Sequence, residues 1–119
     1  MAVKPLGQAA ARCGVDFVLT GHGCSFLAGI SEAPIAPLVA INGFPAAVYT
    51  QPLFPHTIND GDSCVPHLDI IKTGSTLVFS SRIPMARIGD LADVGGVVIT
   101  GSPTVFIGGP PGTAPYLGP

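Results

Sequence analysis

Three segments of this chain are versions of one short β-element: Pro37-Leu-Val-Ala-Ile-Asn-Gly-Phe-Pro45, Thr76-Leu-Val-Phe-Ser-Ser-Arg-Ile-Pro84 and Pro103-Thr-Val-Phe-Ile-Gly-Gly-Pro-Pro111. Val39, Val78 and Val105 align, as do Ala40, Phe79 and Phe106, and the closing prolines Pro45, Pro84 and Pro111 fall in register. A unit this short cannot bury an apolar face alone, so three hairpins packed around a common axis are the expected solution. The first two copies are 39 residues apart and the next two 27, so the first interval carries 12 extra residues. They lie in the region that holds His56, Cys64 and His67.

The remaining apolar runs agree with an all-β fold. Phe17-Val-Leu-Thr20, Leu38-Val-Ala-Ile41, Leu77-Val-Phe79, Gly96-Val-Val-Ile-Thr100 and Thr104-Val-Phe-Ile107 are short, rich in β-branched and aromatic residues, and bounded by Gly, Pro, Asn or Ser. Asn42-Gly43, Ser80-Ser81 and Gly108-Gly109 fall where each repeat should reverse, and glycine and asparagine supply the positive φ of tight hairpins. Gly96 to Ile107 predicts a further hairpin turning at Gly101-Ser-Pro103. The most helix-friendly stretch, Leu6 to Arg12, is at most two turns long and marginal by itself. The tail, residues 110–119, is rich in proline and cannot continue a sheet, because proline removes ladder donors.

Composition narrows the class. The chain has 119 residues, with 16 Gly and 13 Pro, yet 47% are hydrophobic and mean hydropathy is +0.56, which opposes disorder. We read residues 1–119 as one small domain with 110–119 as its tail. Gly, Pro or a charge interrupts every long apolar run, so no transmembrane helix is expected, and Met1-Ala-Val-Lys4-Pro5 lacks the apolar core of a secretory signal. A net charge of -2, with scattered cations, leaves no basic surface for nucleic acid. Three cysteines, an odd count without a signal, point to reduced thiols or a metal ligand rather than a disulfide framework.

His22, His56 and His67 lie near Cys24 and Cys64. Cys64-Val-Pro-His67 lets a thiolate and an imidazole reach one tetrahedral ion across a turn. In His22-Gly-Cys24 the close spacing favours one ligand from the pair, and His56 precedes Cys64 on the same inserted stretch. A small turn-rich domain needs a staple, and zinc held by three His and one Cys would close the insertion against the N-terminal segment. Cys13 reads as a small buried hydrophobe. Asp60 and Asp62 read as a solvated turn, since a calcium loop would need more oxygen ligands. Ser75 and Ser102 read as turn residues bonding local backbone. No nucleophile with its base, Gly-x-Ser-x-Gly elbow, His-Glu-x-x-His or phosphate loop is present, so no enzyme is expected. A small zinc hydrolase would need an open coordination position in a polar pocket, which a site filled by four protein ligands does not offer.

Ile83-Pro-Met-Ala-Arg-Ile-Gly-Asp90 followed by Gly95-Gly-Val-Val-Ile-Thr-Gly-Ser-Pro-Thr-Val-Phe-Ile-Gly-Gly109 resembles the PAAR-repeat family. The Pro-Ala-Ala-Arg run is varied here as Pro84-Met-Ala-Arg87 and as Pro45-Ala-Ala-Val48, and Ala11-Arg-Cys-Gly-Val-Asp16 looks like a degenerate copy of Ala86-Arg-Ile-Gly-Asp90. The resemblance implies a small cone of β-hairpins that caps a trimeric β-helical spike, one tip per trimer, in type VI secretion or a contractile phage tail. It implies a structural, membrane-piercing role, with effectors or cargo as further partners. The chain would reside in the bacterial cytoplasm before assembly and be secreted through the machine, or sit at a virion tail tip. One structural zinc near the vertex would be held by His22, His56, Cys64 and His67, with Cys24 as reserve. Val94 stands before Gly95-Gly96 where many members place a histidine. A free-standing zinc-binding interaction module is the alternative.

Overall fold

The computed structural model describes residues 7–36 and 38–109. Among these described residues eleven short strands follow in order: β1 (Gly7–Ala9), β2 (Phe17–Leu19), β3 (Leu27–Gly29), β4 (Ala40–Ile41), β5 (Phe44–Pro45), β6 (His56–Asn59), β7 (Cys64–His67), β8 (Phe79–Ser80), β9 (Ile83–Pro84), β10 (Val97–Val98) and β11 (Phe106–Gly108). The fold is all-β, built of antiparallel pairs. From Gly7 onward the helix-friendly stretch is extended: β1 pairs with β11, and Ala10 and Arg12 bridge to Arg87 and Ala46. Tertiary pairing overrides a weak local propensity there.

Two hairpins follow the repeat. β4–β5 reverses through Asn42 and Gly43 at φ 53° and 85°, both left-handed, as a two-residue hairpin turn requires. β8–β9 reverses through Ser81 and Arg82 at φ 51° and 68°, one residue later than Ser80-Ser81. Ser80 is instead buried inside β8, with its Oγ 3.4 Å from Ala36 O. The third copy closes differently from expectation. β11 takes its partner from the other end of the chain, β1, so Ala9 stands opposite Phe106, as Pro45 and Pro84 stand opposite Ala40 and Phe79. The predicted β10–β11 hairpin does not form, because β10 pairs with β2. Ser102 instead fastens the connection from β10 to β11. Its N donates to Ala10 O, and its Oγ accepts from Thr104 N and Val105 N. Ser75 does the same, with its N on Met85 O and its Oγ accepting from Leu77 N and Val78 N. The tail, 110–119, lies outside the described residues.

The three copies share an axis, and the backbone shows it. Ala11 N donates to Ala86 O (2.9 Å), Ala86 N to Ala47 O (2.9 Å), and Ala47 N to Ala11 O (3.0 Å), a closed ring of three hydrogen bonds. One register step away, Cys13 N donates to Pro45 O, Tyr49 N to Pro84 O and Ile88 N to Ala9 O, at 2.8, 2.8 and 2.9 Å. The aligned valines take matching roles, since Val39, Val78 and Val105 accept from Ala46, Met85 and Ala10. Successive residues of each wall segment enter different core clusters, as β-strand alternation requires. Ala11, Ala47 and Ala86 join one with Val18, Ile30, Leu53, Ile71 and Val98. Ala10, Ala46 and Met85 join the other with Ile41 and Ile107 from the hairpins.

Beyond each wall the chain turns through Gly14, Thr50 or Gly89, all at positive φ, and each of their N–H groups donates to Ile30, Ile71 or Val98. The sequence likeness of Ala11–Asp16 to Ala86–Asp90 is matched in three dimensions. Arg12 and Arg87 each fork onto a carboxylate, of Asp16 and Asp90, which also accepts from Thr100 or Thr73. From these turns rise three arms: the β2–β3 pair, the β6–β7 hairpin, and a tight reversal closed by the Leu91–Val97 bridge. The 12-residue difference in repeat spacing is the longer β6–β7 arm.

Candidate metal centre

The β6–β7 arm places two histidines opposite each other. His56 opens β6, His67 closes β7, and the two are cross-strand partners. From His67 the extended chain brings Asp69 to the same side, because residues two apart on a strand share a face. His22 arrives from the turn between β2 and β3, where its carbonyl accepts from Asn59 N at 3.0 Å. The rings of His22 and His56 stack with centroids 4.8 Å apart, and His67 meets both edge-on at 4.7 and 5.5 Å.

All three Nε2 atoms converge on one carboxylate. His22 and His56 approach Asp69 Oδ2 at 2.5 and 3.0 Å, and His67 approaches Oδ1 at 2.5 Å. The four ligand atoms lie within 4.8 Å of one another, so this group could hold a metal ion. His22 and Asp69 are buried; His56 and His67 are partly covered.

The hydrogen bonding is compatible with a cation at this point. His56 Nδ1 lies 2.7 Å from Phe54 O, and a carbonyl can only accept, so Nδ1 carries a proton. In a neutral imidazole this turns the Nε2 lone pair toward Asp69, leaving two acceptors face to face. The His67 Nε2 and Asp69 Oδ1 pair, although close, lacks hydrogen-bond geometry and both atoms are buried without a partner. A divalent cation held here would satisfy these lone pairs together and offset the carboxylate charge. The Phe54 carbonyl would then be the outer contact that fixes the ring orientation of His56 as a ligand.

Cys64 does not belong to this group. It is joined to Cys24 by a disulfide across 40 residues, with Cα atoms 5.9 Å apart, so neither sulfur is a thiolate. This corrects the expectation of reduced thiols and removes Cys64, and Cys24 as its reserve, from the ligand set. Asp69 occupies the fourth position. The spacing Cys64-x-x-His67 suggested a shared ion, but alternation along β7 and the proximity of the β2–β3 turn direct the sulfur to Cys24. Asp69 carried a readable signal, since His67-Leu-Asp69 has the period of two that puts both side chains on one face of an extended chain.

The other polar groups read from the sequence keep local roles. Cys13 is buried, its Sγ 3.5 Å from Ala46 O, and burial pushes its thiol up to about 11. Asp60 Oδ1 accepts from Asp62 N and Ser63 N, both at 3.0 Å, and these bonds hold its carboxyl below the usual carboxylate range. Val94 is exposed in the short third arm at φ 54°. No helix among the described residues is long and apolar enough to cross a membrane. Compared with protein-family models and with curated proteins, the chain matches none.

Proposed function

We propose that this protein is a structural, non-catalytic tip that caps a trimeric β-helical spike of a contractile injection machine, of the type VI secretion or phage-tail kind. The observation that carries this reading is the ring of hydrogen bonds through Ala11, Ala47 and Ala86, which gives a single chain a pseudo-threefold axis. A monomer meeting a threefold partner on its axis needs three similar surfaces, and the β4–β5 and β8–β9 hairpins with the β1–β11 pair offer them. Their outward positions are largely apolar: Leu38 is 82%, Leu77 67% and Phe106 50% exposed, with Phe44 and Phe79 beside them. Such a face is the kind that docking covers.

In this reading the metal centre holds one structural zinc on His22, His56, His67 and Asp69, stiffening the arms opposite the docking hairpins. The protein would form in the bacterial cytoplasm and leave with the spike, touching the target membrane in passing, or be carried at a virion tail tip. Cargo proteins would ride on its exposed arms.

The test is co-expression with a β-helical spike trimer from the same genome, followed by native mass spectrometry. One chain per trimer is expected, with binding lost in Leu77→Asp/Phe106→Asp. A folded, metal-loaded chain that ignores the spike would favour a free-standing zinc-binding interaction module, the reading suggested by the metal centre alone.

A further inference from the structure

The disulfide and the histidine cluster fasten the same two segments. Cys24 follows His22 by two residues in the β2–β3 turn, and Cys64 precedes His67 by three on β7. Besides the disulfide, the tip of the β2–β3 arm is held to β6 by Asn59 N on His22 O, and by Ser25 Oγ contacting Thr57 N and Thr57 Oγ1. These are ordinary hydrogen bonds near solvent, and each contributes little by itself. Cys64 is exposed, so a reductant can reach the bond.

We infer that the Cys24–Cys64 disulfide is a redox latch on the metal centre, locking His22 against His56, His67 and Asp69 so that the bound ion is retained only slowly exchangeable while the bond is closed. This rests on the metal centre proposed above. A dithiol reductant opens the latch by exchange: its two thiols become a disulfide, and two electrons and two protons pass to Cys24 and Cys64 as thiols. Three ligands stay on the β6–β7 arm and its continuation, but His22 gains freedom to leave with its turn. The effective concentration of the fourth ligand falls, and the ion escapes faster. Ion retention thereby follows the redox state of the compartment. In a reducing interior the ion exchanges, whereas an oxidising exterior traps it.

The test compares three zinc-loaded samples: oxidised protein, protein reduced with a phosphine that does not compete for zinc, and Cys24→Ser/Cys64→Ser. Ion content is measured together with the rate of zinc transfer to a chromophoric chelator. One ion per chain is expected in all three, with transfer on the order of tenfold faster in the two samples without the cross-link. Equal rates with the ion bound would overturn the latch and leave the metal centre standing. Slower transfer in the reduced protein but not in the serine variant would also overturn it, by showing that a freed thiolate joins the site. Absence of zinc in every sample would overturn both the metal centre and the latch.

Discussion

Arg87 and Asp90, three residues apart, form a two-pronged ion pair in which Nε and Nη2 reach the two carboxylate oxygens at 3.0 and 3.1 Å and neither side chain is exposed. Arg12 and Asp16 repeat the fork at 2.9 and 3.1 Å with Arg12 nearer the surface. At the third equivalent place stand Val48 and Gln51, so two walls carry the ion pair and one does without. Breaking a buried pair strands a charge and costs about 3–5 kcal/mol, whereas a partner that can reach water loses less. Asp90→Ala is therefore expected to destabilise the protein by about that much and Asp16→Ala by less, as read from urea unfolding. Equal losses would remove the distinction drawn from burial.

The alanine ring leaves no room for larger side chains. Ala11, Ala47 and Ala86 are all fully buried where three backbones meet. Overpacking such a position costs roughly 1–3 kcal/mol. Ala86→Leu should lower the unfolding midpoint accordingly, and a midpoint unchanged from wild type would show that the axis has slack.

Ser81 and Arg82 hold left-handed conformations that the first hairpin assigns to Asn42 and Gly43. For an ordinary residue this conformation costs roughly 1–2 kcal/mol. Transplanting the first turn, Ser81→Asn with Arg82→Gly, is expected to raise stability by about 1 kcal/mol. Thermal denaturation decides it, and a fall in melting temperature would mean that Arg82 contributes contacts outweighing its strain.

Thiol chemistry separates Cys13 from the other two cysteines. Buried and pushed up to about 11, Cys13 should not react with a disulfide reagent in the folded protein at pH 8. One thiol should appear on unfolding without reductant and three after reduction. Because the folded thiol ionises later than the unfolded one, whose ordinary value is 9.0, its contribution to stability is complete below pH 9 and lost as pH rises toward 11. Three thiols in unreduced denatured protein would exclude the Cys24–Cys64 bond.

Asp69 is the candidate ligand that most separates this group from the one read from spacing. Asp69→Asn keeps its shape but removes the charge, and His56→Ala removes an imidazole; both should abolish zinc binding in elemental analysis. Cys64→Ser should still take up one ion at saturating zinc. Saturation at 100 times the dissociation constant adds about 2.7 kcal/mol to stability, so zinc should raise the melting temperature of wild type and Cys64→Ser but not of Asp69→Asn.

Much of this architecture was legible because its signals are local. The Asn42-Gly43 turn, the partners of Val39 and Val78, and the backbone bonds to the hydroxyls of Ser75 and Ser102 each depend on neighbours a few residues away. The three histidines were legible as candidates because few residues in the chain could bind a metal. Partners from distant segments were not. Nothing near Gly7 announces β11, and β10 chose β2 over the strand that follows it. The Cys24–Cys64 bond depends on two arms meeting, which an odd cysteine count concealed. Asp69 was hidden by attention to Cys-x-x-His, although its offset from His67 was in plain view.

The pairing of β1 with β11 has a consequence for synthesis. The first wall strand emerges from the ribosome about a hundred residues before the strand that covers it. Until Phe106–Gly108 arrives, the nascent chain presents an open edge, the kind of exposed surface to which chaperones and stray strands attach. The closing step spans almost the whole described chain, which predicts slow folding for so small a protein.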